Sequence, residues 1–311
     1  MLKPQENSYV DTSLNIHLTD LNSGEQAAHT EQPVFTWRVG ADQNSGIRRK
    51  HRPNEDTIFV IQGNRISATV VPQPFVLLGV ADGMGGAGHG RDASRLAACS
   101  LIDYVFGSLC YNQRPSDDLL PLLIAAVQHA NRIIYEHNRQ QGMTMGTTIT
   151  LVLIIETTAY IVHVGDSRCY LQRESIGLTQ VTHDHSFVAT LVADGIITPD
   201  EIYTHPRRNL IYSSLGDQIA VEVDSLILPL APDDKLLLCS DGLWEMVRDP
   251  QISSILHDPL SDPSDTACKL IQAALEGGGD DNVSAIVVQV RDGGIAATDL
   301  SQTVGVQAPA C

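Results

Sequence analysis

The stretch 147–172, TTITLVLIIETTAYIVHVGDSRCYLQ, contains three runs rich in β-branched and apolar residues, 147–155, 159–164 and 168–172, parted by ETT and GDS. Runs of this length and composition between turn signals predict strands. Strand follows strand with no room for a helical crossover, which argues for antiparallel sheets over a doubly wound parallel sheet. Outward from this block the same grammar predicts strands over 34–39, 57–61, 75–81, 220–226, 235–239 and 283–290. Between them, Ala93, Leu96, Ala97, Leu101 and Val105, then Leu119, Leu123, Ala126, Val127, Ala130 and Ile134, recur at spacings of three and four. That period predicts two long helices, packed as an antiparallel pair with one face on a sheet. Shorter helices are predicted over 186–195, 242–248 and 263–275. The class is α+β, a sandwich of antiparallel sheets with helices against it.

The chain has 311 residues and is 43% hydrophobic, enough for one substantial core. A polar tail over 1–32, one catalytic-sized domain over 33–291 and a small-residue tail over 292–311 are expected. Twenty Lys and Arg against 37 Asp and Glu give a formal charge of −17. That charge repels phosphate backbones and anionic lipid, so neither nucleic acid nor a membrane surface is an expected partner. Apolar runs such as 151–155 fall far short of the roughly 18 to 20 residues of a membrane span. Residues 1–11 lack a basic region followed by an apolar one, so a soluble, cytoplasmic protein without a signal peptide is expected. The six cysteines are scattered with no close pair, which fits reduced thiols better than a zinc or redox site.

Four aspartates stand where an apolar strand meets a Gly, Ser or Asn turn: Asp82 in Ala81-Asp82-Gly83-Met84-Gly85-Gly86, Asp166 in Gly165-Asp166-Ser167, Asp241 in Ser240-Asp241-Gly242, and Asp281 in Asp280-Asp281-Asn282. A fifth, Asp56, closes Asn54-Glu55-Asp56 just before another strand. Taken singly, Asp-Gly and Asp-Asn are ordinary turn pairs. Together, carboxylates at the mouths of buried strands are costly unless a cation compensates them. An all-oxygen set suits Mg²⁺ or Mn²⁺ rather than Zn²⁺, and two such ions sharing a carboxylate make a hydrolytic centre suited to phosphate esters.

These motifs, in order and joined by Met145-Gly146-Thr147-Thr148 and Gly278-Gly279-Asp280-Asp281-Asn282-Val283, make the chain resemble the metal-dependent protein serine/threonine phosphatases of type 2C, in their bacterial branch. The resemblance covers about 34–290. It implies a four-layer α-β-β-α sandwich, two antiparallel sheets flanked by helix pairs. It also implies two Mg²⁺ or Mn²⁺ ions, with Asp82 bridging both, the Gly83 carbonyl, Asp241 and Asp281 on the first, and Asp56 on the second largely through water. Asp166 matches the position that helps hold a third, weaker ion. The implied reaction is hydrolysis of phosphoserine and phosphothreonine in proteins by a metal-activated bridging water, opposing a cognate Ser/Thr kinase in signalling, with the phosphatase as a monomer. The segment 184–215 matches the family's flap beside the cleft.

Two departures stand out. The family usually has an Arg three residues before the Asn of Asn54-Glu55-Asp56; here that place is His51, followed by Arg52, and these two are the candidate phosphate grip. Many bacterial members have a His after the paired glycines, where this chain has Ala87, with His89 two residues on. Competing readings are an inert scaffold that keeps the fold to bind phosphoproteins, and a metal-dependent hydrolase of small phosphomonoesters.

Overall fold

The computed structural model describes residues 35–65, 73–111, 118–259 and 261–292. The predicted tail 1–32, and 292–311 beyond its first residue, lie outside them.

Among the described residues eleven strands fall into two sheets, and every pairing is antiparallel. The first sheet runs β1 (Phe35–Asn44), β11 (Val283–Asp292), β10 (Lys235–Cys239), β7 (Arg168–Arg173), β8 (Gly177–Gln180). The second runs β2 (Asp56–Arg65), β3 (Gln73–Met84), β5 (Ile149–Ile155), β6 (Thr158–Val164), β9 (Asp224–Pro229), with the two-residue β4 (Gly146–Thr147) on the end of β3. The block 147–172 folds as β4 to β7, with β6 and β7 in different sheets, so the Gly165-Asp166-Ser167 turn crosses the sandwich.

Side chains alternate across each strand, and the alternation builds the layers. On β3 and β5, Phe75, Leu77, Leu151 and Leu153 point outward against α1 (Gly90–Tyr111) and α2 (Leu119–Gln141). Their neighbours Val76, Leu78, Val152 and Ile154 point inward and meet Leu236, Leu238, Ile286 and Val288 of the other sheet. Leu237, Cys239, Ala285 and Val287 then face α4 (Asp241–Trp244), α5 (Asp249–His257) and α6 (Pro263–Glu276). The result is four layers, helices, sheet, sheet, helices, as expected. Leu151 and Leu237 are wholly buried, and each stabilises by about 1.5–3 kcal/mol relative to exposure.

Helix α1 presents Ala93 and Ala97, both fully buried, so its backbone lies close to the sheet. Helix α2 ends at Gly142 with φ of 66°, a left-handed cap that glycine adopts at no steric cost. The 186–195 helix is α3 (Phe187–Ala193), whose Ser186 hydroxyl accepts a hydrogen bond from the Ala189 amide at 3.2 Å.

The elements depart from expectation in four places. The predicted strand 220–226 is displaced to Asp224–Pro229, because the Gln128 side chain on α2 hydrogen-bonds the backbone carbonyl of Val221. The predicted helix 242–248 is helical only over Asp241–Trp244. Strand β8 and helix α5, with Pro250 in its first turn, were not predicted.

Candidate active site

Register brings the aspartates to one end of the sandwich. Asp56 opens β2 and pairs directly with Asp82 near the end of β3. In the other sheet β10 ends at Cys239 opposite Ala285 and Arg168, so Asp241 just after β10, Asp281 just before β11 and Asp166 just before β7 gather at that same edge.

Local contacts fix each carboxylate's backbone. The Asp82 amide donates to Thr148 Oγ1 at 3.0 Å, and the Asp82 carbonyl accepts from the Thr148 amide at 2.9 Å and Thr147 Oγ1 at 2.8 Å. Gly83 stands where a Cβ would lie 2.0 Å from the Gly90 carbonyl oxygen, so only glycine lets the start of α1 approach this backbone. The Asp166 carbonyl accepts from Trp244 Nε1 at 3.0 Å. The loop before β2 is tied to the loop before β11: Glu55 N donates to Asn282 Oδ1 at 2.8 Å, and Asn282 Nδ2 to the Ser45 carbonyl at 3.0 Å.

Burial and mutual repulsion raise the affinity of these carboxyls for protons. Asp82 is pushed well above the usual carboxylate range, first by burial, then by the charges of Asp241, Asp56, Asp166 and Asp281. Asp241 is pushed well up by burial, then by Asp166 and Asp281. Burial takes Asp166 to about 7, with Asp184 adding to the rise and Arg168 opposing it. Burial takes Asp56 to about 6, held back by the hydroxyls of Ser284 and Ser240. Asp281 is raised by burial and restrained by Arg49.

As they stand, no three His, Cys, Asp or Glu side chains among the described residues are grouped to hold a metal ion. The donor set nevertheless fits hard cations. Oδ1 of Asp56 and Oδ1 of Asp241 are buried without a hydrogen-bond partner, as is Oε1 of the adjacent Glu55. Orphaned carboxylate oxygens in a site of concentrated negative charge are what a divalent cation would satisfy.

The basic run beside the site turns its side chains in different directions. His51 and Arg52 are exposed. Arg49 is the side chain turned inward, with Nη1 2.8 Å from Asp281 Oδ1 and 3.5 Å from Glu55 Oε2. Arg48 pairs instead with Asp280 at 2.9 Å. Sequence reasoning also missed the roles of Ser240 and Ser284, each donating to Asp56 Oδ2 at 2.7 Å. The signal was available for Ser284, a hydroxyl inside an otherwise apolar buried strand, which demands a partner.

An antiparallel two-sheet sandwich with five strand-end carboxylates converging at one edge defines the class, an α-β-β-α sandwich with an acidic edge. A family model described as protein phosphatase 2C matches residues 46–277, and the chain belongs to that family. It is 38% identical over 257 residues to the serine/threonine protein phosphatase PstP of Mycobacterium tuberculosis, covering 82% of this chain and 45% of that protein. The chain thus spans about half the length of that relative. It is 34% identical over 248 residues to the serine/threonine phosphatase stp of Listeria monocytogenes, covering 78% of this chain and 92% of that one. A crystal structure of the catalytic domain of PstP in complex with two manganese ions superposes with a TM-score of 0.68 at 34% identity, covering 83% of this chain and 100% of that one.

Proposed function

We propose that this chain hydrolyses phosphoserine and phosphothreonine in proteins, with two Mg²⁺ or Mn²⁺ ions held by the carboxylate ring. The observation that carries the reading is the convergence of Asp56, Asp82, Asp166, Asp241 and Asp281, with buried oxygens of Asp56 and Asp241 left without partners. Asp82 would bridge the two ions, the Gly83 carbonyl, Asp241 and Asp281 would serve the first, and Asp56 the second. Asp166 would hold a third, weaker ion. When bound, such ions supply an activated water as nucleophile and neutralise the phosphoryl oxygens as charge develops.

The chain's own residues supply the frame. Ser240 and Ser284 hold one oxygen of Asp56 and leave the other free to point into the site. Thr147 and Thr148 fix the Asp82 backbone. Arg49, at the Asp281 carboxylate, is the cation best placed to meet a substrate phosphate, ahead of the exposed His51 and Arg52.

The domain is taken to span 33–291, working as a cytoplasmic monomer against a cognate kinase. No helix among the described residues is long and apolar enough to cross a membrane. The test is release of phosphate from a phosphothreonine peptide with Mn²⁺ and with chelator. Metal-dependent release is expected; turnover that survives chelation would overturn the mechanism, and no turnover at any metal concentration would favour an inert scaffold.

A further inference from the structure

A cavity of about 360 Å³ lies beside the end of the 184–215 segment, lined among others by His183, His185, Tyr212, Asp217, Glu222 and Asp224. A second, of about 370 Å³, is lined among others by Met84, Arg139, Met143 and Gly146. The two share Ser214 and Asp217. Met84, one residue from Gly83, pairs with Gly146, so the second cavity lies beside the carboxylate edge and borders the first. A chain with its phosphorylated residue at the aspartates would meet Ser214 and Asp217, common to both cavities, on the way to the first.

That cavity is built for positive charge. Among the described residues three carboxylates line it, and the basic side chains that line it are two imidazoles. His185 Nδ1 accepts from the Gly165 amide at 3.2 Å, and its Nε2 lies 3.3 Å from Asp224 Oδ2. Tyr212 lies stacked on His185, ring centroids 5.6 Å apart and planes 25° apart, with its own side chain largely exposed. Glu222 and Asp224 line the same cavity as the ring, and after burial their charges, Asp224's first, push its hydroxyl up. An aromatic face next to carboxylates is the chemistry that receives a guanidinium or ammonium.

The pocket is also preformed. Side-chain amides on α2 clamp its floor: Asn131 Nδ2 donates to the Gln218 carbonyl at 3.0 Å, Asn131 Oδ1 accepts from the Gly216 amide at 2.8 Å, and Gln128 holds Val221. A site fixed before binding loses little conformational entropy when it is filled.

We propose that this cavity receives an Arg or Lys side chain flanking the phosphorylated residue of the protein substrate, making Tyr212, Asp217 and Glu222 determinants of specificity. The proposal rests on the phosphatase reading for its kinetic test but not for its binding test. The kinetic test compares phosphothreonine peptides of one length carrying a single Arg or a single Glu at each flanking position. At one or two positions Arg is expected to lower KM at least tenfold relative to Glu. That ratio should fall towards one in a D217N/E222Q variant and persist in Glu174→Gln, which removes a charge from the turn after β7, at the far end of that strand. A ratio near one at every position, or one unchanged in D217N/E222Q, would overturn the proposal.

The binding test titrates the unphosphorylated Arg peptide at physiological salt and follows the Tyr212 ring resonances by NMR. They are expected to shift in the native chain and in Glu174→Gln, and not in D217N/E222Q. An unmoved ring overturns the proposal whether or not any peptide is hydrolysed, whereas absent hydrolysis with a moving ring would sink only the phosphatase reading.

Discussion

Ser240, just after β10, and Asp56, at the start of β2 in the other sheet, lie 184 positions apart, yet the Ser240 hydroxyl donates to Asp56 Oδ2 at 2.7 Å. Ser284 donates to the same oxygen at 2.7 Å, and its amide donates back to Ser240 Oγ at 3.0 Å. Ser240→Ala or Ser284→Ala should cost about 1–3 kcal/mol, the penalty for depriving a buried acceptor of a donor. Denaturant unfolding at pH 8 and pH 5 checks this. The loss should be larger at pH 8, where the carboxylate is charged, and equal losses would show that Asp56 is not the group affected.

The protonation of the aspartates sets how metal-free stability varies with pH. Asp56 moves from 3.8 to about 6 and Asp166 from 3.8 to about 7 on folding. Between about pH 4 and pH 7 the folded state binds more protons at these two groups than the unfolded one, so their contribution to stability is present at low pH and is lost as pH rises through that window. Asp166→Asn should raise stability at pH 8 in chelator by roughly 2 to 4 kcal/mol. Thermal melts across pH, with and without Mn²⁺, give the answer; Mn²⁺ should remove the downward slope, and a chelated protein that gains stability from pH 4 to 7 would contradict the assignment.

Asp82→Asn separates folding from catalysis. Removing a like charge relieves repulsion from Asp241, Asp56 and Asp166, so the variant should melt no lower than the native chain in chelator. Its kcat should fall more than tenfold, a barrier increase above about 1.4 kcal/mol. A variant that keeps more than a tenth of the native kcat would remove Asp82 from the set that holds the ions.

The basic loop yields a direct comparison. Arg49→Ala should raise KM for phosphopeptides about tenfold or more, because a charge-assisted contact contributes about 1.5–3 kcal/mol. His51→Ala and Arg52→Ala should change it less than threefold. A KM that rises with pH in the native chain and flattens in His51→Ala would return the role to the imidazole.

A fifth expectation concerns the base of the 184–215 segment. Arg168 holds Asp184 through Nε at 3.0 Å and Nη2 at 2.6 Å, donates Nη1 to the Tyr170 hydroxyl at 2.8 Å, and lies 3.6 Å over the Trp244 ring. Both charged side chains are almost wholly buried. Arg168→Met alone should destabilise by about 3–5 kcal/mol, since it strands Asp184, while R168M/D184L should recover most of that loss. A double-mutant cycle on unfolding free energies measures the coupling, and additive losses would mean that the pair is not a unit.

Much of the architecture was legible because burial and period coincide. The run 149–155 is buried on both faces, and its β-branched composition declares a central strand. Elements that depend on tertiary contacts were not legible. Residues 220–223 carry strand-forming Val221 and Val223, but the Gln128 amide captures that backbone before the ladder begins. The five aspartates were readable from their strand-end turns. Arg49 was not, because in Arg48-Arg49-Lys50-His51-Arg52 only the loop's path decides which side chain turns inward. That path is set by backbone bonds from Ile47 and Arg48 to the Gly279 carbonyl, 2.8 and 3.1 Å, between segments far apart in sequence.

The turn between β7 and β8, Glu174-Ser175-Ile176, divides the carboxylates unevenly: Asp56, Asp82 and Asp166 precede it, Asp241 and Asp281 follow it. Neither half of the chain can assemble the ring alone, because Asp56 from the first half takes both of its serine hydroxyls from the second. Two polypeptides cut at that exposed turn would each be silent, and the return of hydrolysis on mixing would count how many pairs had found one another. The geometry that makes the ring costly to build therefore also makes it a reporter of complementation, in which signal exists only where both fragments meet.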